Sequence, residues 1–495
     1  MQTLDFFRAR LDGMIDLSHP LARLAARLPW AELEAELAPN WARATREGVI
    51  ADGGALLDEP GGVLQAAGLS AAGRPRLSIR LLCSLLYLKH AFNLSDESLV
   101  ERWAENVVWQ YFSGLDYYEP RPPCDATQIG RFRRAIGEQG MQAILKATID
   151  TALELKAIKP VEFERIIVDT TVQEKAISYP VDARLLEIAR HKIVAQAKRC
   201  GIALRQSFAK EGKQLRRKAG GYAHAKQFKR LARVLRRQRT IVGKLIREVR
   251  GKLESGLETV KQTNKQTINP SARAALSTLL ERADRIRTQK RVDKNKLYAL
   301  HAAEVECISK GKARNRYEFG VKVSLAITHK QGLIVGTKRF AGNPFDGHTL
   351  AAQIAQCNAL SSRAAKPVRE AIVDLGYRGV DADNPGVNIV HRGRIKSMSQ
   401  SQRKQLKRRQ AIEPVIGHLK QDHRMNRCHL QGSLGDALHA MACAAGYNIR
   451  WLMRALLRMR PKGLFALIAL IALWLEQLRL TAHRPVSFGF DSLTQ

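Results

Sequence analysis

The sequence predicts an α/β fold with a mixed sheet, a helical N-terminal region and a long basic helical insert. Short apolar and β-branched runs, which are typical of strands, occur on both sides of a long helical stretch. They follow the order strand, insert, hairpin, helix, strand, strand, helix, which is typical of a mixed α/β sheet. At 495 residues, the chain is long enough for about two to four domains and a substantial core.

The first predicted strand, residues 166–172, carries one carboxylate, Asp169, inside a run of apolar and β-branched residues. A second short apolar run ends at Asp374, and Gly376 supplies the turn that follows. A charge buried in a strand costs free energy unless a metal ion or a partner compensates it. Two strands that each bring one carboxylate to a common edge would make half of a divalent-metal site.

The strand pattern returns after the insert. Residues 317–327 and 333–339 predict a β-hairpin around the turn at Gly332. A helix over residues 346–361, a short strand over 387–391 and helices from 401 to 458 follow.

Predicted helices also precede the first strand. One lies at the start of the chain and another over residues 29–37, and a glycine-rich segment over 52–73 predicts a loop. An apolar run over residues 463–475 is too short to span a membrane, which needs about 20 residues, so we expect a covered helix there and no membrane partner.

Three helices are predicted between residues 77 and 137, and Ser95 is a good N-cap for the second. The third ends at Gly137 and carries Arg131, Arg133 and Arg134. This order is compatible with a helix-turn-helix-like DNA reader. A helical bundle with a solvated basic face explains it equally well.

The formal net charge is +36, so a polyanion is the expected partner, most plausibly nucleic acid. Residues 184–296 hold 32 Lys and Arg against 8 Asp and Glu, a net charge of +24. We read this segment as a helical hairpin that contacts the DNA backbone, since a solvated face normally mixes charges of both signs. Candidate contacts are Arg230, Arg233, Arg236 and Arg237.

The seven cysteines are scattered and include no CxxC pair, which argues against a structural zinc site and a disulfide framework. This usage suits a reducing compartment. The first eight residues lack the pattern of a signal peptide. We therefore expect a cytoplasmic protein.

Four ordered motifs resemble those of the DDE transposases of bacterial insertion sequences, closest to the insertion-sequence-five group. The likeness covers most of residues 77–455, and the basic insert is its least typical part. The motifs are Val168-Asp169-Thr170-Thr171-Val172, Gly342-Asn343-Pro344-Phe345-Asp346-Gly347-His348, Val373-Asp374-Leu375-Gly376-Tyr377-Arg378 and Ile412-Glu413-Pro414-Val415-Ile416-Gly417-His418-Leu419-Lys420.

The resemblance implies an RNase H-like catalytic domain in which Asp169, Asp374 and Glu413 bind two Mg²⁺ ions, for which Mn²⁺ substitutes. It implies cleavage and strand transfer on double-stranded DNA, at terminal inverted repeats and a target. It also implies a homodimer on paired DNA ends, and a bacterial, nucleoid-associated location.

Related transposases carry a Tyr, Arg, Glu, Lys signature around the glutamate. Arg409, Glu413 and Lys420 match it, and Leu406 stands in place of the tyrosine. The resemblance implies that Arg409 and Lys420 hold DNA phosphates. The spacing places all four on one helical face, but a residue before proline avoids the α region, so Pro414 predicts a kink or a fresh helix start.

Other interpretations remain open from the sequence. The chain could be an RNase H-like nuclease without strand transfer, or a DNA-binding protein with a decayed site. A tyrosine recombinase is a third class, suggested by His391, Arg394 and Tyr447. Four further acids are weaker site candidates: Asp346, which we expect to cap a helix, Asp381, Asp383 and Asp422.

The sequence thus predicts four segments. They are a helical N-terminal DNA-binding domain at 1–158, a catalytic domain at 159–183 plus 297–460, a basic helical insertion at 184–296, and a C-terminal apolar helix and tail at 461–495.

Overall fold

The computed structural model describes residues 9–41, 76–262, 269–290, 292–309, 316–459 and 471–474. The predicted glycine-rich loop at 52–73 and most of the predicted apolar helix at 463–475 lie outside these residues, as does the first part of the predicted N-terminal helix. No helix of the described residues is both long and apolar enough to cross a membrane.

Seven helices of the described residues precede the first strand, and several follow the sequence signals closely. The Ser95 side chain accepts a hydrogen bond from the Ser98 amide and caps α5, as predicted. Gly137 breaks α7 with a φ of 61°, a left-handed value that glycine adopts without steric cost. The helices are α1 (Leu11–Met14), α2 (Pro20–Ala25), α3 (Trp30–Trp41), α4 (Ile79–Ala91), α5 (Asp96–Glu105), α6 (Val107–Phe112) and α7 (Ala126–Glu154).

Six strands form one mixed sheet. Strand β3 pairs antiparallel with β1 along one edge, and its other edge pairs first with β2 and then with β4. Strands β1, β5 and β6 are parallel to one another, which gives the order β4–β3–β1–β5–β6. The strands are β1 (Arg165–Glu174), β2 (Glu306–Ser309), β3 (Tyr317–Thr328), β4 (Ile334–Phe340), β5 (Glu370–Ile372) and β6 (Asn388–Val390).

The segment between β1 and β2 contains four helices rather than the predicted two-helix hairpin. These helices share a separate small core, in which Leu186, Leu245 and Leu280 are fully buried. The helices are α8 (Asp182–Arg199), α9 (Ala209–His224), α10 (Phe228–Gln262) and α11 (Pro270–Thr288).

The remaining helices cover the sheet and join it to the N-terminal helices. Buried Asn448 on α15 donates to the Thr148 hydroxyl of α7 and to the Ile334 carbonyl of β4. One hydrophobic core therefore runs through the N-terminal helices and the sheet. The helices are α12 (Leu350–Leu360), α13 (Gln400–Lys407), α14 (Ile412–Asp422) and α15 (Gly432–Arg458).

Candidate active site

The two aspartates of the strand motifs lie at the same level on neighbouring parallel strands. Ile167 of β1 is in register with Ile372 of β5, so Asp169 and Asp374 each lie two residues beyond a matched pair. Residues two apart point to the same face of a sheet, and neighbouring strands are about 4.8 Å apart. The register therefore places Asp169, on the central strand, level with Asp374, which lies just beyond the end of β5.

Backbone amides orient both carboxylates. Asp169 Oδ1 accepts a hydrogen bond of 2.7 Å from the Thr170 amide, and Asp374 Oδ1 accepts one of 2.8 Å from the Gly376 amide. The second bond closes the turn Leu375–Tyr377 directly after β5. Since each carboxylate uses one oxygen locally, its orientation is fixed before any ligand arrives.

The third acid, Glu413, lies in the first turn of α14. The helix begins afresh at Ile412 after the short 3-10 turn Arg408–Ala411, which confirms the effect expected of Pro414. Arg409 lies between the acids: its Nη1 is 3.6 Å from Asp169 Oδ2, and its Nη2 is 3.3 Å from Glu413 Oε1. The Glu413 side chain is 61% exposed and Arg409 only 16%, so the guanidinium bridges a partly buried acid and an open one.

A further carboxylate, Asp346, lies beside these acids. The prediction that it caps a helix is wrong, because Phe345 occupies the cap position and makes no side-chain cap bond. Instead, Asp346 Oδ1 accepts hydrogen bonds of 2.8 Å from the Thr170 hydroxyl and from Lys322 Nζ. Asp346 is therefore held by residues of β1 and β3, and the sequence around position 346 does not reveal these contacts.

Tyr377 lies under the acids and is fully buried. Burial raises the pKa of its hydroxyl well above the usual value, and the negative charges of Asp169, Asp346 and Asp374 raise it further. The hydroxyl makes no hydrogen bond of ordinary geometry to the described residues, although the Thr349 side chain lies beside it and partly offsets the rise in pKa. A protonated phenol beside three carboxylates can donate a hydrogen bond to a ligand or a water in the site.

These residues fit hard divalent ions. Their donors are all oxygens, which Mg²⁺ and Mn²⁺ prefer, and the neighbouring cations Arg409 and Lys322 mark where positive charge is favoured. Within the described part of the chain, three ligand atoms lie within 4.8 Å of one another only in a buried group elsewhere. No three of these acids therefore bring their ligand atoms as close together as that buried group does.

That buried group consists of His90, His439 and Cys443, and internal bonds occupy it. His439 Nε2 lies 2.9 Å from the Arg424 carbonyl, and His90 Nδ1 lies 3.3 Å from the His423 carbonyl and 3.5 Å from Cys443 Sγ. These contacts join α4 to α15 and to the segment after α14, so the group has a packing role.

Lys420 is not brought to the acids. Its Nζ lies 3.4 Å from Glu318 Oε2 and 3.7 Å from Glu174 Oε1. Glu174 is the last residue of β1, five residues beyond Asp169. The spacing predicted that Lys420 lies on the same helical face as Glu413. In the structure, Lys420 is two turns further along α14 and lies near the C-terminal end of β1.

The three arginines of α7 differ in their surroundings. Arg133 is buried and its Nη2 is 3.0 Å from Asp96 Oδ1, so its assignment to DNA is wrong in this structure. Lys89 also contacts Asp96, at 2.7 Å, and the three charges join α4, α5 and α7. Arg131 and Arg134 are exposed.

The four candidate arginines of the insert are all exposed on α10. Arg237 makes a bidentate ion pair with Glu211 of α9, with distances of 2.7 and 3.1 Å. The Arg230 guanidinium lies over the Tyr222 ring. Arg233 and Arg236 complete an exposed basic stripe on this helix.

Tyr447, the nucleophile that the recombinase alternative proposes, is not accessible. Tyr447 is buried, its hydroxyl donates to the Gly332 carbonyl at 3.3 Å, and burial raises its pKa. His391 is also buried and accepts a hydrogen bond from the Gly393 amide. All seven cysteines are free.

Sequence reasoning missed Lys322, Thr170 and Tyr377 as parts of the site. Thr170 and Tyr377 stand one and three residues from the two strand aspartates, so adjacency was a usable signal. The sequence gives no such signal for Lys322, because only the pairing of β3 with β1 brings it near the acids.

Comparisons with known proteins identify transposase domains in two parts of the chain. A family model described as Transposase domain (DUF772) matches residues 62–135, and a Transposase DDE domain model matches residues 385–453, which include Glu413. The chain is 39% identical over 224 residues to the uncharacterized protein ORF8 in the nfe locus of Rhizobium meliloti. That match covers 45% of this chain and 95% of the relative, and no solved structure matches. The chain therefore belongs to the DDE transposases of insertion sequences.

Proposed function

We propose that this transposase binds the ends of its insertion sequence and performs metal-dependent DNA cleavage and strand transfer with Asp169, Asp374 and Glu413. The observation that carries the proposal is the convergence of these acids: two meet through the β1–β5 register, and Arg409 connects the third to Asp169. DDE transposases generally depend on divalent metal, and we assign Mg²⁺ here, with Mn²⁺ as a substitute.

An RNase H-like catalytic domain is part of the proposal. Its support is the order β4–β3–β1–β5–β6, in which β4, β3 and β1 are antiparallel and β5 and β6 follow parallel to β1. Asp169 lies on the central strand, and Asp374 lies just beyond the end of its parallel neighbour, β5.

The chemistry is an in-line displacement at phosphorus, first by water and then by a DNA 3′-hydroxyl. Divalent ions, when bound, would activate the attacking oxygen and would neutralise the charge that develops on the leaving oxygen. Asp169, Asp374 and Glu413 would hold those ions, and amide hydrogen bonds keep the first two in place. Arg409, which is neutralised by two acids here, becomes a phosphate ligand once the acids have metal partners.

We infer that duplex DNA follows the basic insert. Besides the stripe on α10, a cavity of about 770 Å³ between α8 and α9 is lined by Lys213, Arg216, Arg217 and His191. Phosphate contacts by such groups supply sequence-independent affinity. Sequence-dependent recognition of terminal repeats is assigned to the N-terminal helices, through Arg131 and Arg134, and we propose that a homodimer holds two paired ends.

The test is to incubate the full chain with DNA that carries the flanks of its own gene and with a target plasmid. We expect Mg²⁺-dependent nicks at the element ends and covalent joining of those ends to the plasmid. Chelation of metal should abolish both products. Cleavage without any joined product would favour the nuclease alternative, and binding without either product would favour a decayed site.

A further inference from the structure

We propose that Asp346 is a fourth carboxylate of the metal site, acting with Asp374 on one ion, and that Lys322 is its counter-ion when metal is absent. The inference rests on the proposed function, since it adds a ligand to the same metal centre. It gives a role to the motif at residues 342–348, which contains Asp346 and contributes none of the other three acids.

One oxygen of Asp346 and one of Asp374 both lie close to Gly376. A Cβ atom built on Gly376 would lie 3.0 Å from Asp374 Oδ1 and 3.2 Å from Asp346 Oδ2. Both carboxylates therefore approach the same backbone position from different elements. Two negative groups so close repel each other unless a cation lies between or beside them.

The hydrogen bonds of Asp346 leave one oxygen towards that region. Thr170 and Lys322 both donate to Oδ1, whereas Oδ2 lies on the side of Gly376. Lys322 also donates to the Pro344 carbonyl at 2.6 Å, so it holds this loop through the backbone as well. The loop thus has an anchor that does not need the Asp346 charge.

Tyr377 provides an independent observation. Its hydroxyl is buried, makes no hydrogen bond of ordinary geometry to the described residues although the Thr349 side chain lies beside it, and lies within the field of Asp169, Asp346 and Asp374. A buried donor of this kind is satisfied by an oxygen ligand or an ordered water that it shares with neighbouring acids. Its position among three carboxylates, with Asp346 as one of them, indicates that the centre extends to Asp346.

The alternative is that Asp346 only forms a structural ion pair with Lys322. The two readings differ for Asp346→Asn, because the amide oxygen still accepts from Thr170 and Lys322 but no longer carries charge for a metal. Exposed Asp383, in the loop after the Leu375–Tyr377 turn, gives the matched control Asp383→Asn.

The experiment is a Mn²⁺ titration of the full chain without DNA, followed by calorimetry and by the electron paramagnetic resonance of free Mn²⁺. We expect wild type and Asp383→Asn to bind two ions. Asp346→Asn should lose one ion or bind it at least about tenfold more weakly. Lys322→Met should bind Mn²⁺ several-fold more tightly, because the competing ammonium is gone.

Thermal unfolding of each variant identifies misfolding, and Lys322→Met keeps the test decisive if Asp346→Asn does not fold. The inference is overturned if Asp346→Asn titrates as wild type does, or if Lys322→Met binds Mn²⁺ no more tightly. In either case, weaker binding by Asp374→Asn would leave the proposed metal site standing. Failure of wild type to bind Mn²⁺ would overturn both.

Discussion

Gly376→Ala is the smallest change that should separate the two carboxylates at the centre of the site. The new methyl group would lie 3.0 Å from Asp374 Oδ1 and 3.2 Å from Asp346 Oδ2, so both carboxylates must move by a few tenths of an ångström. The Gly376 backbone does not have a positive φ, so alanine adds no strain of that kind. The effect should therefore fall on the site rather than on the fold.

The expected magnitudes follow from this geometry. A displacement of about 1 Å in an active site costs roughly 100-fold in rate, so a shift of a few tenths should cost about tenfold in cleavage. The free energy of unfolding should change by less than about 1 kcal/mol, since glycine-to-alanine changes of compatible geometry are worth about 0.4–1 kcal/mol.

The assay compares initial cleavage rates on end DNA at saturating Mg²⁺ with urea unfolding of the same preparations. Gly417→Ala is the matched control: it lies within α14, and nothing lies within 4 Å of its added methyl group. It should keep the wild-type rate and be slightly more stable. A wild-type cleavage rate in Gly376→Ala would refute the claim that cleavage depends on the positions of these two carboxylates.

Three further predictions concern stability and DNA affinity. Asp96→Asn leaves Arg133 buried without its partner and should cost about 3–5 kcal/mol in urea unfolding, whereas a change below 1 kcal/mol would contradict the burial of that charge. Burial lowers the pKa of His423 to about 4 and of His439 to about 3. Since only the unfolded chain binds protons there below about pH 6.5, stability should fall by about 2 kcal/mol per histidine from pH 7 to pH 5, and His439→Gln should reduce that loss. Neutralising the α10 stripe should reduce the slope of log affinity against log salt by about 0.9 per lost phosphate contact, and an unchanged slope would exclude DNA contact by these residues: Arg230, Arg233, Arg236 and Arg237.

Local signals predicted those parts of the fold that local forces determine. Ser95 caps α5, Gly137 interrupts α7, and the β-branched run around Asp169 forms β1, because each depends on neighbours within a few residues. The two strand aspartates lie level with each other, because Ile167 and Ile372, two residues before them, are in register on parallel strands.

Long-range packing decided the rest. Arg133 and the neighbouring arginines of α7 look alike in sequence, but only Arg133 faces Asp96 across the bundle. Asp346 was predicted to cap a helix, but it pairs with Lys322 of β3, which is distant in sequence. Lys420 lies away from the acids because α14 runs along β1 and ends near Glu318.

The central claim is that metal-binding carboxylates, and not a protein nucleophile, perform the DNA chemistry. The measurement is cleavage and joining of end DNA by Asp169→Asn, Asp374→Asn, Glu413→Gln and Tyr447→Phe, with DNA binding measured for each. We predict that each acid variant loses both products while binding DNA nearly as wild type does, and that Tyr447→Phe, whose hydroxyl is buried against Gly332, remains active. Activity that survives all three acid changes but is lost in Tyr447→Phe, with a covalent protein–DNA adduct formed by wild type in chelator, would contradict the account.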